Sequence, residues 1–129
     1  MTQYASELWQ RALQALSTAR AIAAADPDAA ASRAYYAAFY AASALFAQEG
    51  RDFTKHSALE AAVHRDLVKK GRWEAELGAD YRWLSELRAT GDYGGLEHVE
   101  PPAAQQAIDK AGRILDAVLD VCSELGETA

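Results

Sequence analysis

The sequence predicts an all-α protein: an up-and-down four-helix bundle with an additional helix, five helices in total. Three observations carry this. Apolar residues recur at three- and four-residue steps through most of the chain, which is the period of one helix face. Half of the 129 residues are hydrophobic, with alanine dominant, while eight glycines and three prolines fall mainly between the periodic segments. No segment keeps the strict alternation of a half-buried strand. A chain of this length suits one domain, residues 1–129, around a single core.

The first helix spans about residues 3–25, with Leu8, Trp9, Leu13, Leu16, Ala19 and Ile22 along one stripe. In "ADPD", Asp26 is placed to cap and Pro27 to open the second helix, which runs to Glu49 before Gly50 stops it. The third helix begins near Lys55–Ser57, where Ser57 and Glu60 have capping-box spacing, and ends at Gly71. Trp73 to about Thr90 forms the fourth, with Leu77, Tyr81, Leu84 and Leu87 on one stripe. Residues 91–100 read as a glycine-containing loop. The fifth helix starts at Pro101–Pro102 and runs to Leu125, showing Ile108, Leu115, Val118, Cys122 and Leu125 on its apolar face. Short connections make neighbouring helices antiparallel.

The formal net charge of −6 argues against wholesale coating of nucleic acid or an anionic membrane. The charge is uneven, however. Residues 51–72 hold six basic groups against three acids, and residues 92–129 hold eight acids against two basic groups. Cys122 is the single cysteine, so no intramolecular disulfide forms and a reducing cytoplasm is expected. Glu7, Gln10 and Arg11 interrupt any signal-peptide pattern. The most apolar run, "AYYAAFYAASALFA", is too short to span a bilayer and reads as a core helix.

Within the second helix, Ser32, Tyr36, Phe39 and Ser43 fall on one stripe, two hydroxyls and a phenol together. Arg33, among alanines at the start of a buried helix, calls for an anionic or carbonyl partner. His56, Glu60 and His64 share a face of the third helix. No Glu-x-x-His step or cysteine cluster completes a metal shell there, so no metal and no cofactor is expected. In "LRATGDYGG", Arg88 closes the fourth helix and Asp92 and Tyr93 follow on the glycine turn, where side chains face outward.

Taken in order and spacing, "SRAYYAAFYAASALF", "TKHSALEAAVHRDLV" and "LRATGDYGG" resemble the HEPN superfamily (higher eukaryotes and prokaryotes nucleotide-binding domain). The likeness is to its small prokaryotic branch with a Ser-Arg-Ala-Tyr-Tyr helix and an Arg-x-x-x-Asp-Tyr element, and it covers roughly residues 5–125. The resemblance implies a homodimer that places two Arg-x4–6-His motifs across a cleft. It also implies metal-independent RNA cleavage by a toxin, with a minimal nucleotidyltransferase as antitoxin partner. The alternative is a non-catalytic module that binds RNA, a nucleotide or the partner.

Carried over, Arg88 matches the motif arginine, Tyr93 stands where the histidine would be, and Asp92 is the acid beside it. These three are the expected catalytic residues. Ser32, Arg33, Tyr36, Lys55 and His56 are the expected substrate-binding residues. Tyrosine, with an ordinary pKa of ~10, is a poor base at neutral pH but a fair proton donor. Tyr93 is also the expected acceptor if the partner adenylylates this protein. His56 supplies the missing base only if the start of the third helix lies beside the end of the fourth.

Overall fold

The computed structural model describes residues 2–128 and is all-helical among them. Five α-helices follow one another: α1 (Gln3–Ile22), α2 (Pro27–Gln48), α3 (His56–Ala62), α4 (Ala75–Tyr93) and α5 (Pro101–Val121). A π-helical turn, Val63–Val68, continues α3 directly, and a 3-10 turn, Ser123–Thr128, follows α5.

The central element is α2. Ala34, Ala37, Ala38, Ala41, Ala42 and Ala44 are fully buried along it, because α1, α4 and α5 all pack on it. Methyl-sized side chains let those backbones come close. Tyr35, Leu45 and Phe46 on α2, with Trp9, Tyr81, Leu84, Ile114 and Val118 from its neighbours, fill the spaces between. The shorter α3 and its π-turn cover the side of α4, where Val68 and His64 press on Gly78. A Cβ there would lie 2.8 Å from the Val68 side chain.

The caps explain most boundaries. Asp26 accepts a hydrogen bond from Ala29 N at 3.0 Å and Pro27 takes the first turn of α2, as its sequence predicts. Gly50, at φ +81°, closes α2 through bonds from Gly50 N to Ala47 O and from Arg51 N to Phe46 O. This is a Schellman arrangement, in which only glycine takes the left-handed step without strain. The first helix is shorter than expected, ending at Ile22, and it begins with an unforeseen cap, Thr2 accepting from Ala5 N.

Four expectations need correction. Ser57 and Glu60 form no capping box: Lys55 is the N-cap without a side-chain bond, and Glu60 faces His64 and Arg82 instead. Trp73 is not helical. Its amide bonds Leu67 O at 2.9 Å and its indole is buried, so α4 starts at Ala75. At the other end α4 runs on through Tyr93, because Gly91 stays helical against α2 and Gly94 makes the stop, with Gly94 N bonding Thr90 O. Finally, α5 ends at Val121. Cys122 is its partly buried C-cap, and Leu125 reaches the core from the following turn.

Two buried carboxylates tie the elements together. Asp80 on α4 accepts from Lys110 of α5 at 2.8 Å, with Arg113 at 3.4 Å. Asp66, in the π-turn, meets Arg51 at 2.8 Å, Arg65 at 2.9 Å and Lys70 at 3.6 Å. Arg65 and Arg51 hold the Asp66 carboxyl far below the usual carboxylate range. Three of the six basic groups in residues 51–72 thus gather on one acid.

Candidate functional site

The candidate site lies where α2, the start of α3 and the end of α4 meet. Arg88 is one and a half helical turns from the C-terminus of α4, and its side chain is only 18% exposed. It therefore does not face outward, as the helix-end pattern suggests. Its guanidinium carbon lies 4.9 Å from the centre of the Tyr35 ring and 5.9 Å from that of Tyr36. One end of the guanidinium reaches Asp92, one turn on, at 3.5 Å. Its Nε is buried with no hydrogen-bond partner among the described residues. A charged donor left that way is costly unless a ligand completes it.

His56, the first residue of α3, comes to the same tyrosines. Its Nδ1 is 3.0 Å from the Tyr35 hydroxyl. The imidazole stacks on Tyr35 at 5.7 Å, meets Tyr36 edge-on at 5.6 Å and tilts against Phe39 at 4.5 Å. Burial, and then the positive charge of Arg88, push the His56 pKa below its ordinary value. The ring is therefore neutral at pH 7. Burial also pushes the Tyr35 phenol up, so it stays protonated.

Ser32 joins from the first turns of α2, its hydroxyl 3.4 Å from Asp92. Among the described residues Arg33 has no anionic partner. Its guanidinium instead packs 4.9 Å over the Tyr36 ring. Lys55 is exposed at the α3 N-cap, next to His56 in the chain. Ser32, Arg33, Tyr36, His56, Arg88 and Asp92 thus form one cluster. Tyr93 stands apart: it is 76% exposed, and five helical steps put it about 140° round α4 from Arg88.

Two contributors escaped sequence reading. Tyr35 is the shared floor under His56 and Arg88, whereas the helical stripe singled out Tyr36. A loop tether was also invisible: Asp28, in the first turn of α2, accepts from Val99 N at 2.7 Å and meets His98 Nδ1 at 2.6 Å. The Val99 amide, and then His98, lower the Asp28 pKa, while Asp28 raises that of His98. This holds the segment after Tyr93 onto α2. Gly91 makes the same approach possible, since a Cβ there would sit 2.8 Å from the Asp28 carbonyl oxygen.

The row His56, Glu60 and His64 is split, with His56 turned to the α2 aromatics and Glu60 to His64 and Arg82. No group of three potential metal ligands occurs among the described residues. A cleft of about 410 Å³ lies between α4 and α5 around Asp80, Asp116 and Asp120, away from this cluster. It is rich in acids, and its buried carboxylate is already paired.

The fold is an alanine-packed helical bundle with an arginine near the end of one helix laid on the tyrosines of another. The HEPN domain model matches residues 5–121, so the chain belongs to the HEPN family. It is similar to a UPF0332 protein of Thermotoga maritima, 43% identical over 93 residues, covering 72% of this chain and 70% of that one. It is also similar to a UPF0332 protein of Gloeobacter violaceus, 31% identical over 126 residues, covering 96% of this chain and all of the relative. Among the described residues no helix is long and apolar enough to cross a membrane.

Proposed function

We propose that this protein is a HEPN-type toxin that cleaves RNA without a metal, as a cytoplasmic homodimer whose antitoxin is a minimal nucleotidyltransferase. The observation that carries the reading is the meeting of His56 and Arg88 on Tyr35, with Arg88 Nε left unpaired. Arg88 supplies a planar, permanently charged donor set for the scissile phosphate. Asp92 orients it. Of the two tautomers the Tyr35–His56 bond allows, the one donating from Nδ1 to the Tyr35 oxygen leaves Nε2 as an acceptor. Nε2 then takes the proton of the RNA 2′-hydroxyl as that oxygen bonds to phosphorus. The bond from phosphorus to the 5′-oxygen of the next nucleotide breaks, giving a 2′,3′-cyclic phosphate and a 5′-hydroxyl. Arg88 offsets the charge that gathers on the phosphoryl oxygens.

Tyr93 points away from Arg88 of its own chain, so its phenol meets a scissile site only across the dimer. There it protonates the departing 5′-oxygen. The same exposure suits it as the acceptor of a nucleotidyl group, its oxygen bonding to the α-phosphorus of a nucleoside triphosphate with release of pyrophosphate. The second reading, a non-catalytic module that binds RNA, nucleotide or partner, is favoured by the tyrosine at the motif histidine position. The test is incubation of purified wild type, Arg88→Ala and His56→Ala with total RNA in excess chelator. Wild type alone should yield 2′,3′-cyclic phosphate ends. Equal background in all three supports the binding module.

A further inference from the structure

From the Arg88 cluster a stripe of alternating tyrosines and arginines runs along α2 toward α1. Ser32, Tyr36 and Tyr40 are four residues apart and so occupy successive turns on one face of α2. Tyr36 and Tyr40 are half-buried neighbours, with ring centres 5.9 Å apart. Each carries a guanidinium: Arg33 at 4.9 Å over Tyr36, and Arg11 of α1 at 6.0 Å over Tyr40. Beyond Tyr40 a cleft of about 290 Å³ opens between the helices, lined by Tyr4, Glu7, Leu8, Arg11 and Tyr40. Tyr4 is half-exposed, and its hydroxyl donates to Asp52 at 3.0 Å. The acids Glu7 and Asp52 end the positive stretch.

The geometry points to this stripe as a track for single-stranded RNA that runs on beyond the phosphate held by Arg88 and past Tyr40. The inference rests on the Arg88 site reading and deepens it. Three features select the occupant. The positive charges of Arg88, Arg33 and Arg11 are spaced along the stripe, which suits a polyanion rather than one phosphate. Half-exposed tyrosine rings and the guanidinium groups beside them are the two kinds of group on which unpaired bases stack. A duplex presents its bases stacked inward and cannot use these faces, so the substrate is unpaired. Ring stacking carries no base-edge pattern, so the track tolerates many sequences and sets the length of RNA held.

The test measures binding of 5′-fluorescein oligouridine of three and ten nucleotides by anisotropy, to wild type, Arg11→Glu, Tyr40→Ala and Arg88→Ala. Arg11 is exposed, so Arg11→Glu leaves the fold intact, and circular dichroism checks the Tyr40 variant. Wild type should hold the decamer at least tenfold more tightly than the trimer. Loss of one stacking platform should reduce that preference roughly tenfold in Tyr40→Ala. Removal of one phosphate contact should lower the salt slope by about one in Arg11→Glu. An unchanged decamer preference in both variants, with binding lost in Arg88→Ala, overturns the track and leaves the Arg88 site standing. Loss of the preference with Arg88→Ala unaffected keeps the track and removes Arg88 from RNA recognition. No binding of either oligonucleotide by wild type overturns both.

Discussion

Replacing Arg88 with alanine removes a side chain that is only 18% exposed and lies over two tyrosine rings. A cation held against partly desolvated ring faces contributes about 1–2 kcal/mol. The truncated methylenes add about 1.5 kcal/mol, and the Asp92 pair about 0.3–0.5 kcal/mol. Two effects work the other way. Alanine is the better helix former by about 0.2 kcal/mol, and deletion of the unpaired Nε relieves about 1 kcal/mol of desolvation. The net loss is about 2 kcal/mol, more than a solvent-facing helix-end arginine would cost. For 129 residues, an unfolding entropy of about 2.1 cal/mol/K per residue turns this into a Tm about 7 °C lower. The variant therefore remains folded at 25 °C. Thermal melts by far-UV circular dichroism, with RNA cleavage on the same preparations, separate stability from chemistry. Cleavage should fall to background in Arg88→Ala. It should stay low in Arg88→Lys, which keeps the charge and loses the planar fork. Wild-type cleavage by a folded Arg88→Ala protein would refute the role given to Arg88.

Imidazole titration by NMR should place His56 below its ordinary value and His98 above it; the reverse order would contradict both environments. The sign for cleavage follows: His56 acts only when neutral, so the rate should hold through neutral pH and fall in acid, below about pH 6.5. The His98–Asp28 attraction runs the other way, fully present below the ordinary histidine pKa and lost as pH rises through the raised one. Gly91→Ala should destabilise despite a helix-propensity gain of about 1 kcal/mol, because the new methyl meets the Asp28 backbone and overpacking costs about 1–3 kcal/mol; a higher Tm would show that α2 and α4 separate freely there. Tyr93→Phe should leave the Tm within about 2 °C, since the ring is exposed, and abolish cleavage. Tyr93→His should raise cleavage near neutral pH. Equal background activity in wild type and both variants would leave the binding module.

The helices were legible because their signals are local. Asp26 and Pro27 start α2, Gly50 and Gly71 stop their helices, and the apolar stripes of α1, α4 and α5 repeat within a few residues. Arg88, Asp92 and Tyr93 were legible as a motif, and so was the tyrosine-rich face of α2. What the sequence alone could not decide was where those side chains go. Gly91 reads as a helix breaker, yet it stays helical and lets the Asp28 backbone of α2 come where a Cβ would be. With α4 helical on to Tyr93, the phenol lies about 140° round the helix from Arg88. Arg88 reads as a solvent-facing end residue and is instead laid on Tyr35, a partner 53 positions earlier in the chain. His56 becomes a neighbour of Arg88 only because the packing of α2 and α3 sets both against the same ring. Spacing along one helix determines which residues share a face. The packing of three helices determines which faces meet, and long-range contacts of that kind leave no periodic trace in sequence.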